Sequence, residues 1–291
     1  MWVKQIAVWL FRVSWVALVF ATGPAIGDAL DGRSRAVQIV GTIGTWAAWG
    51  VVMLVALVPT TVSLTVLRTI TPGSIAVGGA AWGAGASATA GIVAVAFAAV
   101  ATLLAFSGDV GETFAQGSAY GHERRLPLRP PGPVLVVLPL TWAPLVACVL
   151  IGPLALAARN WAVGAPLTAF AAGLAVVLAK RYHRLSKRWL VLVPAGIVLH
   201  DHLVLAETNM VAKNTVGSAG LALVSTEAAN LTGNALGPVV EIRLRELATF
   251  VLAAPPRGQT KALHVQSFLI SPTRPGRALR ELHLLGIPPI A

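Results

Sequence analysis

The sequence predicts a membrane all-α bundle of six transmembrane helices, or five on an alternative count, followed by a small, mainly β domain with a terminal helix. Three observations carry that prediction. Of 291 residues, 56% are hydrophobic and only 11% are charged, against about a quarter charged in soluble domains; mean hydropathy is +0.76. The apolar residues fall in runs of about 20, the length that crosses a hydrocarbon core of about 30 Å. Beyond Ala179 the character changes: residues 180 to 291 hold thirteen Lys/Arg and six Asp/Glu, against nine and five in residues 1 to 179.

Residues 5 to 26 and 38 to 58 have the length of a span, and the polar turn "GDALDGRSR" between them makes a helical hairpin. Arg12 interrupts the first run and no small-residue cleavage site follows, so a retained span is expected rather than a cleaved leader. Between Arg68 and Asp109 lie forty uncharged residues, which as one helix would reach roughly 60 Å, about twice the core. The Gly-rich "GGAAWGAGAS" supplies a turn, giving spans near 66 to 84 and 87 to 106. The alternative is a single span over 86 to 106 after a re-entrant or interfacial segment, favoured by Pro72 and Gly73. In the loop that follows, Pro127, Pro130, Pro131 and Pro133 discourage regular structure. Residues 134 to 158 then form a span bent at Pro139, Pro144 and Pro153. "ARN" turns the chain into an antiparallel neighbour over 161 to 179.

The transmembrane domain is thus expected over residues 1 to 185 and a cytoplasmic domain over 186 to 291. Orientation follows from "KRYHRLSKR", since short cytoplasmic loops retain Lys and Arg; the loop with Arg124, Arg125 and Arg129 falls on the same side. In the tail, Val240, Ile242 and Leu244 alternate with Glu241, Arg243 and Arg245, the period of a half-buried strand. "RWLVLVPAGIVLHD" reads as two strands about a Pro-Ala-Gly turn, and "TFVLAA" and "ALHVQSFLIS" as further strands. "TRPGRALRELHLLG" reads as a helix with Pro275 in its first turn, Leu279, Leu282 and Leu285 on one face, and Gly286 as its stop.

The basic juxtamembrane linker, the "RWLVLVPAGIVLHD" hairpin, the further strands and the final helix together resemble the PH-like domains that many bacterial membrane proteins carry after their spans. Over nearly its full length, including "GSAYGHERRLPLRPP", the chain is similar to uncharacterised actinobacterial multi-pass membrane proteins. That resemblance implies a location in the plasma membrane and supplies no activity and no catalytic residues.

Candidate functional residues are few. Lys180, Arg181, Arg184, Lys187 and Arg188 form a cationic knot suited to anionic lipid of the inner leaflet, or to topology alone. Arg124, Arg125 and Arg129 make a second basic loop. His200 and His202 share one face of a strand with Asp201 opposite, but no third ligand for a metal lies nearby. Asp109 and Glu112 would share a helical face at a membrane exit, as solvated residues. Cys148 reads as a small buried hydrophobe. Gly79 and Gly83, with Gly41, Gly44 and Gly50, allow close helix contact within the bundle or in a homo-oligomer. Trp2, Trp161 and Trp189 are placed to mark interfaces.

Arg12 is the only ionisable residue well inside a proposed span, which argues against proton-coupled pumps and intramembrane metalloenzymes. No nucleotide-binding or hydrolase motif appears. Basic charge set around long uncharged runs argues against nucleic acid as a partner. The expectation is a non-enzymatic protein without cofactor: a scaffold or adaptor whose cytoplasmic domain docks a protein partner or the inner leaflet, with a permease or lipid-transport subunit as the alternative.

Overall fold

The computed structural model describes residues 2 to 254 and 259 to 290. The chain forms two compact units: a helical one from residues 1–114 and 138–182, and a sheet-rich one from residues 115–137 and 183–291.

In chain order the first elements are α1 (Trp2–Leu30), α2 (Arg35–Leu57), α3 (Thr61–Ile70), α4 (Gly73–Gly83), α5 (Ala88–Phe106), α6 (Gly108–Gln116), β1 (Arg124–Pro127), α7 (Gly132–Ala157) and α8 (Trp161–Ser186). Among the described residues five helices, α1, α2, α5, α7 and α8, are long and apolar enough to cross a membrane. The expected span over 66 to 84 is instead two short helices, α3 and α4, that part at Thr71 and Pro72. Pro72 has no N–H to continue the ladder. There the N–H and the hydroxyl of Ser74 both donate to the carbonyl of Thr71, at 3.1 and 2.6 Å. Both pieces run antiparallel to α5: Arg68 Nε donates to Ala105 O at 3.2 Å, Gly78 faces Ala94, and Trp82 lies over Gly91.

Without a hydrophobic force between helices in lipid, close approach of small residues carries the packing. On α5 the buried face is Gly91, Ala94, Ala98, Ala101 and Ala105. Against it pack Phe11 and Trp15 of α1 and Leu64 and Leu67 of α3. Gly79 and Gly83 have open space around them, whereas Gly78, Gly91, Gly152 and Gly164 are among the glycines at close contacts. Gly164 sets the α7–α8 turn, because a Cβ there would lie 2.6 Å from Leu156 N. Gly44 and Gly50 also face open space, whereas Gly41 packs on Leu30 and Leu154. The side chain of Trp2, expected at an interface, lies outside the described residues.

The second unit adds β2 (Trp189–Val193), β3 (Gly196–His200), β4 (Asn209–Ala212), β5 (Val216–Leu221), β6 (Ala229–Asn230), β7 (Val240–Ala254), β8 (Gln259–Ile270) and α9 (Pro275–Leu284). They make two four-stranded sheets, ordered β1-β2-β3-β4 and β5-β7-β8-β6. The sequence assigned the 107–133 loop to irregular structure outside the tail domain. Its strand β1 pairs antiparallel with β2, from Arg124 opposite Leu192 to Pro127 opposite Trp189. The gain is the burial of Leu126 and Leu128 in the core of the unit, and Pro127 is tolerated because it ends an edge strand. That core also holds Leu190, Leu192, Ile197 and Leu199 from β2 and β3, Val240, Ile242 and Leu244 from β7, and Leu282 from α9. Pro275 starts α9, and Gly286 at φ +89° ends it in a conformation that costs other residues a Cβ clash.

Candidate functional site

The helical unit holds a groove of about 770 Å³ lined from α1, α2, α3, α4, α7 and α8. Small-molecule sites commonly enclose about 300–1,000 Å³. Its walls are mostly aliphatic and aromatic, with Trp15, Trp46 and Trp49 among them. Trp15 and Trp49 clasp α1 to α2: each indole N–H donates to the other's backbone carbonyl, at 3.0 and 2.9 Å. On α2, Gln38, Thr42, Thr45 and Trp49 recur at helical spacing and all face the groove.

Four hydroxyls of the groove share one property. The hydroxyls of Thr22, Thr45 and Thr69 donate to the carbonyls of Leu18, Gly41 and Thr65, four residues back in each helix, and Ser74 Oγ to Thr71 O. Their protons are committed to backbone, so what they offer a guest is lone pairs. Gln38 Nε2 gives one of its two N–H groups to Leu30 O at 3.2 Å. Asp28 and Asp31 of the α1 end lie on the lining, and among the described residues no Lys, Arg or His does. Pro153 deprives the carbonyl of Val149, another lining residue, of its helical donor. The groove is therefore apolar in its walls and rich in hydrogen-bond acceptors. Sequence reading passed over it, although the Gln38, Thr42, Thr45 spacing was the available signal.

The arginines within the apolar helices have structural partners. Arg12 donates through Nε and Nη2 to Ala56 O at 3.1 and 2.8 Å, and lies 4.9 Å from the Trp9 ring centroid. Arg68 serves Ala105 O and Ser107 O. Each thus supplies donors to the open carbonyl end of an antiparallel neighbour, where cations also complement the helix dipole. Glu112, expected in solvent, is buried in the helical unit, because α6 turns Val110 and Phe114 into the core. Asp109 stays half-buried in the first turn of α6. Cys148 is a free, buried thiol.

The expected cationic knot divides. Lys180, Arg181 and Arg184 are exposed along the last turns of α8, and Lys187 is half-buried. Arg188 cannot meet lipid: it is 1% exposed, and its Nε and Nη2 donate to the two carboxylate oxygens of Asp201 at 2.7 and 2.6 Å. Its Nη1 donates to Arg129 O. The second basic loop is dispersed as well. Arg124 is exposed, 3.9 Å from Glu281. Arg125 is held by Glu123 at 2.6 Å and lies over Trp189, 4.8 Å from its ring centroid. Arg129 reaches Pro238 O, while its Nε is buried with no hydrogen-bond partner among the described residues. That burial lowers the Arg129 pKa from its ordinary value.

His200 and His202 do share a side, edge to face at 4.4 Å between ring centroids, and Asp201 points the other way into the core. His200 also stacks on Trp189 at 5.3 Å, and its Nδ1 is 2.9 Å from Thr208 Oγ1. Burial, then the charges of His202, Lys187 and Arg125, push the His200 pKa down against a smaller upward pull from Asp201. No group of three or more His, Cys, Asp or Glu able to hold a metal occurs among the described residues.

No protein-family model, curated protein or solved structure is significantly similar to the chain.

Proposed function

We propose that the chain is a multi-pass protein of the plasma membrane that works as a permease or lipid-handling subunit. The guest of its groove is a lipid-like amphiphile whose head donates hydrogen bonds, as an amine or a polyol does. The observation that carries this reading is the acceptor-rich lining of the groove, with Asp28 and Asp31 and no cation; an anionic headgroup would meet repulsion there without a counter-charge. α3 and α4 together act as a sixth, broken crossing, because they accompany α5 from Ala105 to Gly91. Thr69, Ile70, Gly73 and Ser74 line the groove on either side of the break, and interrupted helices are tolerated at membrane depth where they line a cavity. Six crossings place both ends on the side that retains Lys180, Arg181 and Arg184, the cytoplasm, where these three exposed cations would meet anionic lipid. The sheet order and the closing helix α9 suit the PH-like domain of the family that the sequence resembles.

The test is mass spectrometry of lipids retained by the chain in mild detergent. One amphiphile class with a donor head should be enriched over the bulk membrane, and lost in Ala48→Trp, which fills the groove, and in Asp28→Asn/Asp31→Asn. Bulk proportions in the wild type and in Ala48→Trp alike would sink the reading.

A second reading, the adaptor, draws on β4, the terminal strand of its sheet with Met210 exposed, as an edge for strand addition by a cytoplasmic protein. Met210→Asp should then release a co-purifying partner while lipid retention persists.

A further inference from the structure

Three exposed apolar side chains of the sheet-rich unit belong to two loops that run side by side. Leu223 and Val224 follow β5, and Leu236 precedes β7. The loops are joined by Ala222 N–H to Val239 O at 3.1 Å, next to the paired residues Leu221 and Val240. The first loop is held in shape by Thr226 Oγ1 donating to the buried Glu241 Oε2 at 2.9 Å. Its tip nevertheless presents Leu223 at 68% and Val224 fully exposed, with Leu236 at 69% on the neighbouring loop. Apolar tips held away from their own core invite a partner.

The place of these loops names that partner. The loop carrying Leu236 is fixed to the first residue of α7: Gly132 N–H donates to Gly233 O at 3.2 Å. A Cβ on Gly132 would collide with Asn234 O, and Pro131 packs on Gly233. Arg129 reaches Pro238 O from the same stretch. Gly132 opens a 26-residue apolar helix of spanning length. Whatever is bonded to the first residue of a span sits at the depth of the headgroups.

We propose that Leu223, Val224 and Leu236 form an apolar edge that dips into the interfacial layer of the bilayer that receives α7. The occupant is lipid, because the loop is continuous with the start of a lipid-crossing helix and a membrane must surround that point. The proposal rests on α7 crossing a membrane and is independent of what the groove holds.

The experiment uses the full chain with Cys148→Ala as background, reconstituted in palmitoyl-oleoyl phosphatidylcholine vesicles. Nitroxide spin labels are placed at Val224→Cys, Leu236→Cys and, as an aqueous control, the exposed Glu207→Cys. Power saturation should show labels 224 and 236 colliding with oxygen several-fold more than with the water-soluble nickel complex Ni-EDDA, and the control label the reverse. Collision with nickel at 224 and 236 equal to the control overturns the proposal. So does shielding from both reagents, which would mean a second copy or a protein partner on the edge. Carbonate extraction of the vesicles separates the two failures: a chain that washes off does not span, whereas one that stays while its labels meet nickel spans without the edge. Leu223→Asp, with the fold checked by thermal melting, should raise nickel access at 224.

Discussion

Arg188 and Asp201 meet as a fully buried, two-pronged ion pair, with contacts of 2.7 and 2.6 Å and side chains 1% and 0% exposed. Removing one partner of such a pair leaves an uncompensated buried charge and costs about 3–5 kcal/mol. Arg188→Ala or Asp201→Ala should therefore lower the melting temperature of the chain in detergent by many degrees. Arg188→Lys should rescue little, since a single ammonium cannot match a bidentate carboxylate. The double change Arg188→Met/Asp201→Leu should recover much of the loss. Equal melting for wild type and Arg188→Ala would mean that the pair contributes nothing.

A tail cut at residue 186 lacks β1. The severed sheet would expose a strand edge and the pockets of Leu126 and Leu128, each worth about 1.5–3 kcal/mol on full burial. The isolated 186–291 fragment should show fast amide exchange along β2, and a peptide of residues 120 to 131 should bind it and slow that exchange. Slow exchange along β2 without the peptide would show that the strand is dispensable. Deletion of the tail, conversely, orphans β1, so such a truncation tests more than the tail alone.

The two sheets show where sequence reading succeeds. "RWLVLVPAGIVLHD" declares β2 and β3 because nothing but Pro194 and Ala195 separates two β-rich runs, and the pairing of Trp189 with His200 follows directly. α9 was legible from Pro275 and Gly286 at its ends. β1 was hidden, because proline content argued for irregular backbone and only its partner 60-odd residues later makes Leu126 a core residue; such pairing is a tertiary decision. Arg188 was misplaced for a related reason. A run of cations reads as one surface until folding sends a member inward to a carboxylate thirteen residues away. The groove was passed over for another cause: hydroxyls whose protons are spent on their own helices look like ordinary span residues, and the spacing of Gln38, Thr42 and Thr45 was its one mark in the sequence.

His200 makes stability depend on pH, and the sign follows from its surroundings. Burial and three nearby cationic or basic groups hold its folded pKa below the ordinary 6.5. Above the unfolded pKa both states are neutral and the residue contributes no pH dependence. As pH falls below it the unfolded chain takes up the proton first, so stability declines until the folded pKa is reached. Melting between pH 7.5 and pH 5.5, both chosen to bracket the usual His range, should show a smaller loss in His200→Gln, which keeps a partner for Thr208. An identical loss in the variant would assign the effect to other groups.

Arg12 supplies two hydrogen bonds to the last turn of α2, with Ala56 O as the acceptor. Hydrogen bonds from charged groups are worth about 1.5–3 kcal/mol, and in lipid no water replaces them. Arg12→Met keeps the apolar length of the side chain and removes the donors, so the loss reads the bonds rather than the packing. The variant should melt several degrees lower in detergent, while Arg12→Lys, still a cation at a helix C-terminus, should fall between. Because Arg12 is not on the groove lining, the lipid retained by Arg12→Met should match the wild type. A variant that melts normally yet loses the amphiphile would move this arginine from architecture to function.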